Sequence, residues 1–368
     1  MQQPRRARDL GIMPGRHAPG PLNAITDVPG VRVGQSTLHR EPGIRTGVTA
    51  IVPDLADRAG GELPAGIFIG NGFGKLTGAT QLAELGVLET PIVLTGTLSV
   101  FRAADALVSY VLDLPGNEQV WSVNAVAGET NDGFLSDIRA RSVTPGDVLS
   151  ALSGARGGPV AEGAVGAGTG TRALGFKAGI GTSSRVAELA SGPPVTAGVL
   201  LQANFSGILT VLGVPIPAEA ALASLASGPS APDAASGQSV PGQPGAEPAG
   251  PRGNSCMIIV AVDRALDSRQ LGRVARRAIF GLSRAGSDFA GGSGDYAIAF
   301  AASQESEPVR DRDLDPVFTA VQEAVEEAVL NSVFMATTTH GHQGRVAYAC
   351  PHEFVLHACR AAGVLPPG

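Results

Sequence analysis

Between residues 227 and 253 the chain reads "SGPSAPDAASGQSVPGQPGAEPAGPRG", with six Gly, six Pro and a single large aliphatic, Val240. Such a segment cannot bury enough apolar surface to offset the entropy lost on ordering it. It is expected as a disordered linker or exposed loop. It divides the 368 residues into a large N-terminal part, 1–226, and a small C-terminal part, 255–368, with the linker over 227–254. Directly behind it comes "SCMIIVAV" (255–262), so a small hydroxyl residue, Ser255, stands at the border between the tether and a strongly apolar run.

The C-terminal part alternates strand and helix signals. "CMIIVAV" (256–262) is a continuous apolar run rich in β-branched residues, as a strand buried on both faces requires. Asp267 or Ser268 is placed to cap a helix whose Leu271, Val274, Ala275, Ala278, Ile279 and Leu282 share one face. "AGSDFAGGSG" (285–294) reads as a turn-rich loop, and "DYAIAFAA" (295–302) as a second strand. Asp315 then caps a long helix with Pro316 in its first position. In the N-terminal part, "VTAIVP" (48–53), "AGIFIG" (65–70), "PIVLTGT" (91–97) and "TAGVLLQANF" (196–205) are strand candidates. "GATQLAELGVL" (78–88) and "SVFRAADALVSYVLD" (99–113) are helix candidates. Strands alternating with helices argue for a layered α/β or α+β fold.

Composition narrows the function classes. The net charge is −6, charged residues make up 16%, and no long Lys/Arg run occurs. That argues against a nucleic-acid partner. The short basic stretch "RRAR" at 5–8 reads as a solvated arm. Three cysteines are an odd, sparse set that points to a reduced interior without a disulfide framework. No secretory h-region and no transmembrane run is read, so the expectation is a cytoplasmic protein with no membrane partner.

Two Gly-rich loops invite a nucleotide. In "GNGFGKLTG" (70–78), Ile69 and Leu76 stand where a phosphate loop needs Gly and Ser or Thr. "GAGTGTRALG" (166–175) lacks the G-x-G-x-x-G spacing and a preceding strand. His340, His342, His352 and His357 form no H-E-x-x-H, and no C-x-x-C occurs, so they read as surface or structural histidines and no metal is expected.

The hydroxyls carry more. Ser293 and Asp295 lie two apart at the start of a strand, so in an extended chain they share a face. If the intervening helix makes the usual crossover, the strands at 256 and 295 run parallel, and Ser255, Ser293 and Asp295 meet at one sheet edge. The alternative is that these serines are turn residues. A cut behind the tether would leave Ser255 as a new N-terminus. Its hydroxyl attacks the carbonyl of Asn254, and water hydrolyses the ester. The freed α-amine can then help activate the hydroxyl.

Across nearly the whole chain, ordered stretches resemble one peptidase family, that of the L-aminopeptidase D-amidase/D-esterase and the β-peptidyl aminopeptidases. They are "NAITDVPGVRVGQ" (23–35), "GNGFGKLTGATQLAELGVLETPIVLTGTLSV" (70–100), "GETNDGFLSDI" (128–138), "GAVGAGTGTRALGFKAGIGTSSRV" (163–186), "LLQANFSGILTVLGVPIP" (200–217), and "GNSCMIIVAVD" (253–263) through "GGSGDYAIAF" (291–300). The resemblance implies a four-layer α/β/β/α sandwich like the N-terminal nucleophile hydrolases but differently connected. It implies cleavage between Asn254 and Ser255 into a large and a small subunit that together make one domain, assembled as a homo-oligomer, and it implies no cofactor. Ser255 then stands as nucleophile, with Ser293 and Asp295 orienting and activating it. Asn204 stands as an oxyanion donor, and Glu129 as the carboxylate for the substrate's amine. On the residues alone, Glu129 also fits a helix cap or surface pair, and Asn204 a turn.

Two positions depart from the family pattern: Asp295 where β-peptide-cleaving members carry Glu, and Asn131 where an aromatic is common. The implied activity is hydrolysis of short peptides, amino-acid amides or esters. The alternatives are an acyltransferase of the ornithine acetyltransferase type, which uses Thr as nucleophile, and an inactive ligand-binding relative.

Overall fold

The computed structural model describes residues 2–227, 255–303 and 305–367. The linker beyond Ser227, and with it Asn254, lies outside the described residues.

Ten strands form two sheets. The first holds β1 (Val31–Arg40), β2 (Ile44–Pro53), β5 (Ile92–Gly96) and β6 (Val126–Thr130) in that order. The second holds β4 (Val87–Leu88), β3 (Leu63–Gly72), β10 (Gly294–Ala301), β9 (Ser255–Val262), β8 (Val195–Asn204) and β7 (Ile180–Ala187). The helices are α1 (Ala79–Glu84), α2 (Val100–Leu112), α3 (Pro145–Ser153), α4 (Ala218–Ser227), α5 (Ser268–Arg284), α6 (Leu314–Phe334) and α7 (His352–Ala361). Strands β9 and β10 pair in parallel across the α5 crossover, as the β-α-β reading requires. Their other neighbours, β8 and β3, come from before the linker and run antiparallel to them. The two parts of the chain therefore share one sheet.

Period-two alternation sorts β9 between two cores. Met257, Ile259 and Ala261 face the first sheet, packed with Ile51, Leu94 and Val126. Cys256, Ile258, Val260 and Val262 face α5 and α6. A third cluster packs α2 and α3 on the outer face of the first sheet. The order is helices, sheet, sheet, helices: an α+β, four-layer α/β/β/α sandwich. Because β9 is covered on both faces, all eight of its residues are buried, which is why its sequence carries no polar alternation.

Local signals held well in α5. Asp267 Oδ1 accepts from Gln270 N at 2.7 Å, and Gln270 Oε1 accepts from Asp267 N at 3.0 Å. This is a reciprocal cap worth about 1 kcal/mol. Its six apolar positions all reach the core. The long helix α6 differs: it starts at Leu314 with Asp313 as the capping position, so Asp315 and Pro316 lie inside its first turn. The Asp313 carboxylate accepts instead from Ser191 Oγ at 2.6 Å. The helix read over 78–88 stops at Glu84, because 87–88 pair with β3 as β4. Helix α6 lies hard against β7. A Cβ on Gly181 would come 1.9 Å from the Ala328 carbonyl oxygen.

The stretch at 5–8 is not a solvated arm. Arg8 Nε donates to both Glu327 carboxylate oxygens at 3.0 Å, and Arg6 pairs with Glu162 at 2.7 Å. Ala7 N donates to Asn331 Oδ1 at 2.9 Å. Arg185, fully buried on β7, closes the same network on Glu327 at 2.5 Å. Glu323, Glu327 and Asn331 line one face of α6 at four-residue spacing, and the basic stretch packs along it.

Candidate active site

The candidate residues gather where the start of β9 meets the ends of β8, β6 and β3. Ser255 is the first residue of β9, and in the ladder it stands directly opposite Asn204, the last residue of β8. Ser255 alternates with Met257 and Ile259, and Asn204 with Leu200, so both side chains belong to the face between the sheets. Directly opposed side chains have Cβ atoms about 5 Å apart. Both residues are buried. Asn204 Oδ1 accepts from Arg172 N at 3.2 Å. With its carbonyl end held, the amide keeps its N–H₂ end as the donor.

On the other side, Ser255 pairs with Gly294 and Cys256 with Asp295. Ser293 Oγ donates to Asp295 Oδ1 at 2.8 Å, the pairing expected from their spacing, and both residues are buried. Asp295 lies on the face of Cys256, opposite the Ser255 side chain. The nearby Cys256 backbone draws its carboxyl down, and its charge adds to burial in pushing the Cys256 thiol up. No side-chain hydrogen bond joins Ser255 to Ser293 or Asp295. The Ser293–Asp295 pair therefore adjoins Ser255 through the ladder, where Ser255 pairs with Gly294 and Cys256 with Asp295. Burial pushes the Asp295 carboxyl up to about 6, against the Ser293 hydroxyl, which draws it down. Asp295 Oδ2 is buried and has no hydrogen-bond partner among the described residues.

Glu129 arrives from the other sheet, on β6 beside Thr95 of β5. Gly128 lets β6 close onto β9, since a Cβ there would sit 2.4 Å from Met257 Cε. Gly74 fits between Glu129 and the neighbour of Ser255. A Cβ at 74 would lie 3.2 Å from Glu129 Oε1 and 3.1 Å from Gly294 Cα. The buried Glu129 carboxylate accepts from Lys75 N at 2.9 Å and from the Thr97 hydroxyl, while the half-exposed Lys75 ammonium stays 3.9 Å away. Burial raises its pKa despite these donors. Nearby Asp132, fully buried, is pushed up to about 7 by burial and further by the Glu129 charge. Such a desolvated carboxylate gains most from a cation brought to it.

Both Gly-rich loops first weighed for nucleotides turn out to serve this site. Lys75, in "GNGFGKLTG", offers its backbone N–H to Glu129. In "GAGTGTRALG", a turn at 166–168 leads to a hairpin whose Arg172 N–H holds Asn204. Thr97 and Arg172 were missed by sequence reading, because their partners lie 32 residues away in each case. Of the four histidines, His352 stacks edge-on against Phe334 with ring centroids 5.5 Å apart. Among the described residues, no group of three or more His, Cys, Asp or Glu is placed to hold a metal ion. No helix there is long and apolar enough to cross a membrane.

Known proteins match this chain over nearly their full length. Residues 23–347 match the model of peptidase family S58. The beta-peptidyl aminopeptidase BapA of Sphingosinicella xenopeptidilytica is 37% identical over 379 aligned positions, covering 97% of this chain and 91% of that protein. The structure of a Burkholderia sp. beta-aminopeptidase superposes with a TM-score of 0.84 at 36% identity, covering 98% of this chain and 100% of the other. The l-aminopeptidase d-ala-esterase/amidase from Ochrobactrum anthropi is described as a prototype for the serine aminopeptidases and a new variant among the Ntn hydrolase fold. It matches with a TM-score of 0.83 at 34% identity over 98% of this chain and 99% of that one. Family match, identity and shared fold agree over nearly every residue, and the chain belongs to peptidase family S58.

Proposed function

We propose that the chain is a self-processing serine aminopeptidase that removes the N-terminal residue from short peptides, amino-acid amides or esters. The observation that carries this reading is the register of β8, β9 and β10. It sets Ser255 directly opposite a buried amide whose carbonyl end is already engaged, and one position from a buried Ser–Asp pair.

Processing comes first. Ser255 Oγ attacks the Asn254 carbonyl, the peptide bond to the Ser255 nitrogen breaks, and the acyl group moves to oxygen as an ester. Water hydrolyses that ester and leaves Ser255 with a free α-amine. The unpartnered Asp295 Oδ2, one register position away, supplies an acceptor for an N–H of the new neutral α-amine, which keeps its lone pair for the hydroxyl proton. In turnover, Glu129 takes the substrate's ammonium and Ser255 Oγ attacks the scissile carbonyl. The α-amine, oriented by Ser293 and Asp295, takes the proton and returns it to the leaving amine. The Asn204 amide donates to the oxyanion. Water then releases the acyl group, so the chemistry asks for no cofactor. The relatives' names support the aminopeptidase class rather than acyl transfer or loss of activity.

The test is mass spectrometry of the purified protein, with N-terminal sequencing. Two chains are expected, one beginning Ser-Cys-Met-Ile, and Ser255→Ala should remain a single inactive chain. A wild type that stays whole yet hydrolyses aminoacyl substrates would refute the processing step. The homo-oligomer of processed heterodimers is checked by light scattering on the same sample.

A further inference from the structure

We propose that the Lys75 ammonium is the resident counter-ion of Glu129: it holds that carboxylate charged while the site is empty, and moves aside over the Phe73 ring when the substrate's ammonium arrives. This inference rests on the aminopeptidase reading of the site, with Glu129 as the carboxylate that takes the amine.

Lys75 meets Glu129 in two ways. Its backbone N–H donates to Oε1 at 2.9 Å, and its Nζ stands 3.9 Å from the same oxygen. The second distance is too long for a hydrogen bond but close enough for two charges to attract. The Glu129 side chain is 1% exposed, whereas that of Lys75 is 41% exposed. The carboxylate is therefore fixed, and the ammonium rides a flexible stem at the solvent edge. Nζ also lies 5.7 Å from the centroid of the exposed Phe73 ring, within reach of a cation–π contact. Gly74, between the two, lets this stretch seat on the carboxylate, since a Cβ there would lie 3.2 Å from Glu129 Oε1.

Each oxygen of an ionised carboxylate can accept two hydrogen bonds. Among the described residues, Oε1 takes the Lys75 N–H and Oε2 takes the Thr97 hydroxyl. One acceptor position on each oxygen stays open to an ammonium. Lys75 Nζ fills neither, because it stands outside hydrogen-bond distance. A substrate ammonium that makes those bonds outcompetes it, since a charge-assisted hydrogen bond is stronger than a looser charge pair.

Burial pushes the Glu129 carboxyl up, and the Thr97 hydroxyl, the Lys75 N–H and the Lys75 charge draw it down. The other titratable groups that face it are Asp132, just beyond β6, and Tyr296 on β10, and the Glu129 charge pushes both of them up. Neither brings a positive charge, so that task falls to Lys75 in the empty site. Without it the buried carboxylate would take up a proton more readily and lose its attraction for an ammonium. The counter-ion thus has two opposed effects on substrate binding. It helps at low pH by keeping Glu129 ionised, and it competes at higher pH, where Glu129 is ionised in any case.

The experiment uses the processed wild type, Lys75→Met and Lys75→Arg, with the aminoacyl p-nitroanilide that wild type cleaves fastest in a panel. KM and kcat are measured from about pH 5 to about pH 8, the span in which a raised carboxyl titrates. Lys75→Met keeps the backbone N–H that orients Glu129. Titration of the substrate's own amine is common to all three enzymes and cancels in the ratio of variant to wild-type KM. At the alkaline end, Lys75→Met should have a KM about twofold to fivefold below wild type, the scale of an exposed ion pair. At the acid end its KM should lie above wild type, so the two curves cross, with kcat little changed. Lys75→Arg should restore the wild-type profile. Curves that superimpose overturn the proposal, and so does a displacement of one sign at every pH. A uniform rise would make Lys75 a direct substrate contact, and a uniform fall a simple repeller of the amine. A loss confined to kcat, or Lys75→Arg behaving like Lys75→Met, also overturns it. A wild type inactive on every p-nitroanilide would instead sink the aminopeptidase reading.

Discussion

Replacing Asp295 by Asn in a chain kept whole by Ser255→Ala isolates the energetic burden of the buried carboxylate. In the fold, burial lifts the Asp295 carboxyl from its ordinary 3.8 to about 6, and its Oδ2 has no partner among the described residues. The sign follows from proton binding. Between those values the folded chain keeps a proton that the unfolded chain has lost, so the stabilisation is complete below 3.8 and is lost as pH rises through 6. The full loss corresponds to about 3 kcal/mol, of which ~2 kcal/mol falls between pH 4 and pH 7. Asn keeps an oxygen to accept from Ser293 but cannot ionise. Its extra N–H₂ adds an offset that does not vary with pH, so the slope is the decisive quantity. Urea unfolding of the single and double variants at pH 4, 5, 6 and 7 should show the Asp-containing chain losing stability relative to the Asn chain as pH rises. Parallel curves would refute the reasoning.

Other substitutions probe single contacts. Asn204→Ala should lower kcat by about 10²–10³ with little change in KM, the loss typical of one oxyanion donor; an equal rise in KM would argue for a binding role. Glu327→Gln removes the charge that faces buried Arg185 at 2.5 Å and weakens the bond to Arg8. Urea titration should show a loss of about 3–5 kcal/mol, the scale for breaking a buried ion pair. Gly181→Ala sets a methyl 1.9 Å from the Ala328 carbonyl oxygen. The shift of α6 should cost about 1–3 kcal/mol, and an unchanged Tm would mean that the helix is not seated so closely.

Much of the site could be read from the chain because the informative residues sit at element borders. Ser255 follows a low-complexity tether and opens a strand, and Ser293 and Asp295 have strand spacing, so their bond at 2.8 Å follows from two-residue alternation. The Asp267 cap was legible for the same reason, since donor and acceptor lie three residues apart. The long helix α6 shows the limit: Asp315 and Pro316 have the composition of a helix start, but Asp313, held by Ser191, comes first.

The sequence by itself determined the elements whose partners are close along the chain: the buried strands, the amphipathic face of α5, its cap, and the order of the resembling motifs. Tertiary structure alone decided that Arg8 meets Glu327, 319 residues on, and that Arg172 meets Asn204 and Phe134. It also decided that Asp295 faces the helices while Ser255 faces the other sheet. Spacing along a strand or helix fixes which side chains share a face. It carries no information about which distant chain covers that face, and burial, charge pairing and pKa all follow from that covering chain.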